Sequence, residues 1–86
     1  MKIFKYRLAL QSGIQIRDLP SEGRLLHVDM QEEALMLWAM VDPQSELKPH
    51  KFRVVATGEE VDKNLLHHHI GTVMDGAFVW HVFGGF

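Results

Sequence analysis

Four histidines near the C-terminal end are the residues whose type and spacing come closest to chemistry. His67, His68 and His69 are consecutive, and His81 follows across Asp75-Gly76, a dipeptide suited to a tight hairpin turn. On a strand, His67 and His69 point to one face and His68 to the other. If Asp75-Gly76 is the two-residue loop, Met74 pairs with Ala77 and Ile70 with His81. His68 then lies diagonal to His81, with Cβ atoms roughly 5–8 Å apart. One more loop residue moves His81 toward the face of His67 and His69. Imidazoles so placed suit zinc, nickel or copper, with His67, His69 and His81 as the candidate ligands. A metal-dependent hydrolase built on them is the least expected of the functions considered. No HExxH spacing is present, and no carboxylate base stands beside the run. The plainer reading is a strand end with solvated or hydrogen-bonded histidines, and no cofactor is expected.

A second set is basic. Lys5, Arg7, Arg17, Lys51 and Arg53 all fall on the polar faces of expected strands. If the strands adjoin, Lys5, Arg7, Arg17 and Arg53 make an anion site, with Trp38 or Trp80 as a stacking face for a nucleotide. The plainer reading is the wet side of an antiparallel sheet. His27 and Asp29 share a face of the third strand with Glu32 and Glu33 nearby, and are read as a solvated pair. No nucleophile elbow, phosphate loop or dinucleotide fingerprint occurs. Gly58 and Gly71 read as turn or bulge glycines.

These residues must be positioned by strands. Phe4, Tyr6, Leu8 and Leu10 alternate with Lys5 and Arg7, so Lys2 to Leu10 reads as a half-buried strand. Gly13 to Leu19 alternates again, with Ile14 and Ile16 expected to face inward. A third strand runs from Leu25 to Gln31, and Glu32-Glu33 reverses the chain. Ala34 to Val41 is apolar on both faces, the pattern of a central strand covered on both sides. Pro43 to Pro49 reads as a polar loop and His50 to Thr57 as a fifth strand. One helical turn between Glu59 and Leu66 is expected, with Asp62 as its N-cap. The closing hairpin supplies the last two strands.

The sum is an all-β domain of about seven short, mainly antiparallel strands, a small sandwich or barrel with at most one helical turn. The 86 residues suffice for one domain, 1–86, with Gly84-Gly85-Phe86 expected as a frayed tail. A diglycine modifier end is set aside, since no amphipathic helix of three turns accompanies it. A domain of this size buries only about 60–65% of its unfolded surface, so association between copies would support it. Trp80 and Phe83 lie on opposite faces of the last strand, and one of them is the expected interface residue of a homodimer or higher oligomer.

Composition excludes several classes. There is no cysteine, so disulfides, thiolate catalysis and iron–sulfur clusters are ruled out. Nine Lys/Arg against eleven Asp/Glu give a formal charge of −2, and a dedicated nucleic-acid binder is not expected. No apolar run approaches the ~20 residues of a membrane span, and MKIFKYRLAL reads as a strand instead of a signal peptide.

Several segments together resemble a family of small proteins, chiefly phage- and prophage-encoded, that carry a domain of unknown function. The pieces are MKIFKYRL, LWAMVDP from Leu37 to Pro43, ATG from Ala56 to Gly58, HIGTV from His69 to Val73, and AFVWHVF from Ala77 to Phe83. They run in order over nearly the whole chain. Two places depart from the pattern: Glu32-Glu33 stands where such proteins often have Asn-Gly, and Gly-Gly-Phe replaces a shorter acidic end. The resemblance implies a phage gene acting in the bacterial cytoplasm and transfers no catalytic residue. With no catalytic constellation in view, the expected function is non-enzymatic: an accessory module binding a host or phage protein, in host takeover or anti-defence. A small-ligand or nucleotide sponge at a subunit interface is the alternative.

Overall fold

In the computed structural model, which describes all 86 residues, seven strands and one 3-10 turn follow one another along the chain. They are β1 (Lys2–Leu8), β2 (Gly13–Pro20), β3 (Gly23–Gln31), β4 (Ala34–Val41), β5 (Leu47–Ala56), the turn (Lys63–Leu65), β6 (His69–Asp75) and β7 (Phe78–Gly84). The strands form two sheets, a three-stranded one in the order β1-β4-β3 and a four-stranded one in the order β2-β5-β7-β6. Every neighbouring pair is antiparallel. The all-β reading from alternation therefore holds, and Asp62 caps the 3-10 turn by accepting from the Asn64 N–H at 2.9 Å.

The two sheets face each other across one apolar core. Leu8, Leu35, Leu37 and Val41 come from the three-stranded sheet, and Leu19, Phe52, Val54, Val73 and Val82 from the other. On one side the sheets meet directly, where β3 packs on β6. Gly71 makes that approach possible, since a Cβ there would lie 2.7 Å from Val28 Cγ2. It is also the bulge glycine expected, as the β6–β7 register shifts between His69 and Gly71.

On the other side β1 and β2 do not pair, and side chains close the seam. The Gln15 carboxamide stands in for a strand peptide. Its Oε1 accepts from the Ala9 N–H at 2.7 Å and its Nε2 donates to the Ala9 carbonyl at 2.9 Å. Arg17 Nε donates to the Arg7 carbonyl at 3.2 Å. This reverses the expected phase of β2: Gln15, Arg17 and Leu19 face the seam and core, while Ile14 and Ile16 point outward and are exposed. Alternation had marked two faces; the polar seam, which needs an amide and a guanidinium, decided which of them turned in.

Three further boundaries differ from expectation. β5 begins at Leu47, so the expected loop from Pro43 to Pro49 is half strand. Pro49 is tolerated because β7 pairs with β5 only from Phe52 to Ala56, leaving that stretch with one neighbour. The hairpin loop is Gly76-Ala77, not Asp75-Gly76: Asp75 pairs with Phe78 and Met74 with Val79. Positive φ falls on Gly76 alone (+57°), as in the turn that places glycine at its first central position. Gly84, expected in a loose tail, ends β7 and donates its N–H to the His68 carbonyl at 3.0 Å.

Candidate functional site: an uncovered sheet face

β4 is the middle strand of its sheet, as expected, but only one of its faces is covered. Leu35, Leu37, Ala39 and Val41 point into the core and are buried. Met36, Trp38 and Met40 point away from it; no strand is laid over them, and neighbouring side chains leave Met36 and Trp38 half-buried and Met40 exposed. Residues paired across an antiparallel ladder share a face, so the registers assemble three rows. Ile3, Met40 and Arg24 form the first, Lys5, Trp38 and His27 the second, and Arg7, Met36 and Asp29 the third. An apolar stripe of two methionines and a tryptophan thus runs between two polar strands carrying Lys5, Arg7 and Arg24 against the single acid Asp29.

The rim is engaged locally. Lys5 Nζ donates to Gln31 Oε1 at 2.8 Å, which carries its aliphatic stem from β1 across β4 to β3. The His27 ring lies 6.1 Å from that of Trp38. His27 Nε2 is 3.7 Å from Asp29 Oδ2, with both side chains 64% exposed, so this pair is solvated as expected and lies in no cleft. Ile3 is 59% and Met40 38% exposed. Met36, Met40, Ile3 and Arg24 went unrecognised at the sequence level. The available signal was the two-sided apolarity of β4, which was explained by a cover the fold does not provide.

The outer face of the four-stranded sheet is different. The connection from Thr57 to His68 folds over it, with Leu65 buried. Val55 points to that side and is only 2% exposed although it lies outside the inter-sheet core. Glu59 pins the start of the connection, accepting from the Ala56 N–H at 2.9 Å and from the Ser12 hydroxyl. Those two hydrogen bonds hold its carboxyl below the usual range.

The histidines sit beside this cover. His81 pairs with Thr72, not Ile70, and the bulge between His69 and Gly71 turns His69 to the face of His81. Thr57 Oγ1, His81 Nε2, His81 Nδ1, Thr72 Oγ1 and His69 Nε2 form one continuous chain, with contacts of 2.7, 3.0 and 3.1 Å. Both nitrogens of His81 are therefore held by hydroxyls. A consistent neutral arrangement has His69 Nε2–H donating to Thr72, Thr72 to His81 Nδ1, and His81 Nε2–H to Thr57. His67 lies in the turn before β6 and does not join them, and no group of three His, Asp or Glu side chains is placed to hold a metal ion. His68 faces the Phe86 ring at 5.9 Å.

The expected anion set is dispersed. Lys5 and Arg7 lie on the three-stranded face, Arg17 closes the seam, and Arg53, paired with Phe83, lies on the outer face of the other sheet. Lys5 alone stands beside a stacking face, that of Trp38. Trp80 and Phe83 do lie on opposite faces of β7. Trp80 packs against the core and stacks with Phe78 at 6.0 Å, and Phe83 sits 5.4 Å from His69. A cleft of about 540 Å³ opens between the sheets at one end, lined by Arg24, His50 and Lys51 among apolar residues and by no carboxylate side chain.

Fold and surface together define a small antiparallel two-sheet β domain with one bare, apolar-centred, basic-rimmed face. The chain matches, over residues 1–85, the family described as Domain of unknown function (DUF7352), and belongs to it. No curated protein and no solved structure matches it. No helix is long and apolar enough to cross a membrane.

Proposed function

We propose that this protein is a non-enzymatic binding module that docks a host or phage protein on the outer face of its three-stranded sheet. The observation that carries this is the outward stripe Met36–Trp38–Met40 on the central strand, whose inward residues are all buried, with Ile3 beside it on β1. Methionine is adaptable at contact surfaces, and the basic rim steers encounter. The resemblance to phage- and prophage-encoded proteins supports a role in host takeover or anti-defence in the bacterial cytoplasm. Self-association is the companion expectation. Phe78, 61% exposed at the tip of the β6–β7 hairpin and stacked on Trp80, is the apolar surface that a second copy would cover.

The test is affinity capture from infected and uninfected bacteria, with the wild type beside Met40→Glu and Phe78→Ser. The reading requires a partner lost with Met40→Glu and kept with Phe78→Ser. Equal capture by all three removes the sheet face from the function.

A second reading, a nucleotide or small-anion sponge, is favoured by the basic cleft at Arg24, His50 and Lys51, whose volume suits a small ligand. A thermal-shift screen with nucleotides supports it if Tm rises and the rise vanishes in Lys51→Glu. No shift at millimolar ligand ends it.

A further inference from the structure

The edge of the three-stranded sheet is more specific than its face. A strand residue sends its N–H and C=O to the same side, and successive residues alternate. The Arg7 carbonyl points away from β4, because Arg17 Nε reaches it from the seam. Ile3 and Lys5 therefore also present their N–H and C=O outward, while Lys2, Phe4, Tyr6 and Leu8 pair inward with β4. Side chains of β2 occupy this edge only at Arg7 and Ala9. No strand pairs there. Ile3 and Lys5 thus offer an open hydrogen-bonding edge, flanked by Ile3 and Met40 on the outer face and by Phe4 and Tyr6 on the inner side.

Charge decides what fits. Residues 1–17 contain Lys2, Lys5, Arg7 and Arg17 and no Asp or Glu. If a second copy paired its β1 here about a two-fold axis, the register centred on Lys5 would set that lysine opposite itself. The neighbouring register would set Lys5 and Arg7 opposite Ile3 and Met1. Neither gives any of these cations a carboxylate, and like charges directly opposite are destabilising. A lysine on an open edge guards against self-pairing in this way.

We infer that β1 accepts an extended acidic segment of a partner protein as a fourth strand of the sheet, hydrogen-bonded to Ile3 and Lys5. This rests on the binding-module reading and names the partner's chemistry. Register sets the pattern. Partner residues opposite Lys5 and Arg7 lie on the outer face and are Asp or Glu. Those opposite Phe4 and Tyr6 turn inward and are apolar. The partner segment thus alternates acidic and apolar residues.

The experiment titrates full-length protein with a short peptide of glutamates alternating with valine and phenylalanine. Controls are its lysine-for-glutamate counterpart, its backbone N-methylated form, and an oligodeoxythymidine. Binding is followed by anisotropy, and the Ile3 and Lys5 amides by hydrogen exchange in NMR. The acidic peptide is expected to bind about tenfold or more tighter than the lysine peptide and to slow exchange at both amides. N-methylation should abolish both effects. Lys5→Glu/Arg7→Glu, with its fold checked by circular dichroism, should reverse the preference between the two peptides.

Equal binding of both peptides, binding without amide protection, or tighter binding of the oligonucleotide overturns the inference. So does concentration-dependent protection of these amides in the free protein, which would identify a second copy as the occupant. If the peptide fails while Met40→Glu still abolishes partner capture, only the edge is refuted. If both fail, the binding-module reading falls with it.

Discussion

The two outer faces of this sandwich are made from the same strand alternation and end up in opposite states. On the four-stranded sheet, outward-pointing Val55 is buried where the Thr57–His68 connection, with its own buried Leu65, lies over that face. On the three-stranded sheet, outward-pointing Met36, Trp38 and Met40 have no such cover. An apolar residue on the first face is explained by folding. The same kind of residue on the second is left over after folding is accounted for, and that surplus marks the surface for something outside the chain.

The largest test of this contrast is stability. Leu65→Ala should cost about 2–4 kcal/mol, because it removes the buried residue of the cover, whereas Met40→Ser should stay within about 0.5–1 kcal/mol. Denaturant unfolding of the two variants measures both, and a Met40→Ser cost as large as that of Leu65→Ala would abolish the distinction between the faces.

The seam between the sheets comes next. Gln15→Ala leaves the Ala9 N–H and C=O without their side-chain partners and should cost about 1–3 kcal/mol. An Ala9 amide that exchanges no faster in this variant would show that the seam is not held by Gln15.

A smaller effect of opposite sign is expected at the β3–β4 reversal, on the bare sheet. Glu32 and Glu33 both adopt left-handed backbone, with φ of 50° and 67°, in a two-residue hairpin turn for which Asn-Gly is the favoured pair. Replacing the pair with Asn-Gly should raise stability by about 1 kcal/mol, measured as a shift in the denaturant midpoint.

The smallest effect concerns the anchor of the cover. The Glu59 carboxyl is held below its ordinary range by the Ser12 hydroxyl and the Ala56 N–H. A depressed carboxylate contributes stability above its unfolded-state pKa and loses it as pH falls through the folded value. Glu59→Gln should therefore flatten the acid limb of Tm against pH and change little near neutrality. An unchanged acid limb would free the cover from this contact.

Much of the architecture was legible from local pattern. Period-2 alternation marked β1, a run apolar on both faces marked β4, the Asp75-Gly76 turn signal marked the final hairpin, and Asp62 announced its own cap. The phase of β2 was not legible, because Ile14 and Ile16 alternate with Gln15 and Arg17 equally well in either orientation. Only the neighbouring edge of β1, with the Arg7 and Ala9 backbone to satisfy, distinguishes the two. The hairpin loop lies one residue further along than expected for a similar reason, which shifts the pairing by two. Asp75-Gly76 carries a turn signal, but which residue pair closes the loop depends on where glycine's positive φ falls. That step changed the partner of His81 from Ile70 to Thr72, and the bulge between His69 and Gly71 turned His69 onto the same face to complete the hydrogen-bonded row.

Local sequence thus determined that this chain forms short antiparallel strands, since side-chain alternation and turn chemistry act within a few residues of one another. It also determined the absence of acids from residues 1–17, on which the charge argument for the β1 edge rests. Tertiary structure alone decided which apolar face is core and which is surface. Burial depends on what lies across from a residue, and a β4 strand apolar on both sides carries the same pattern whether its outer face meets a covering segment or open solvent.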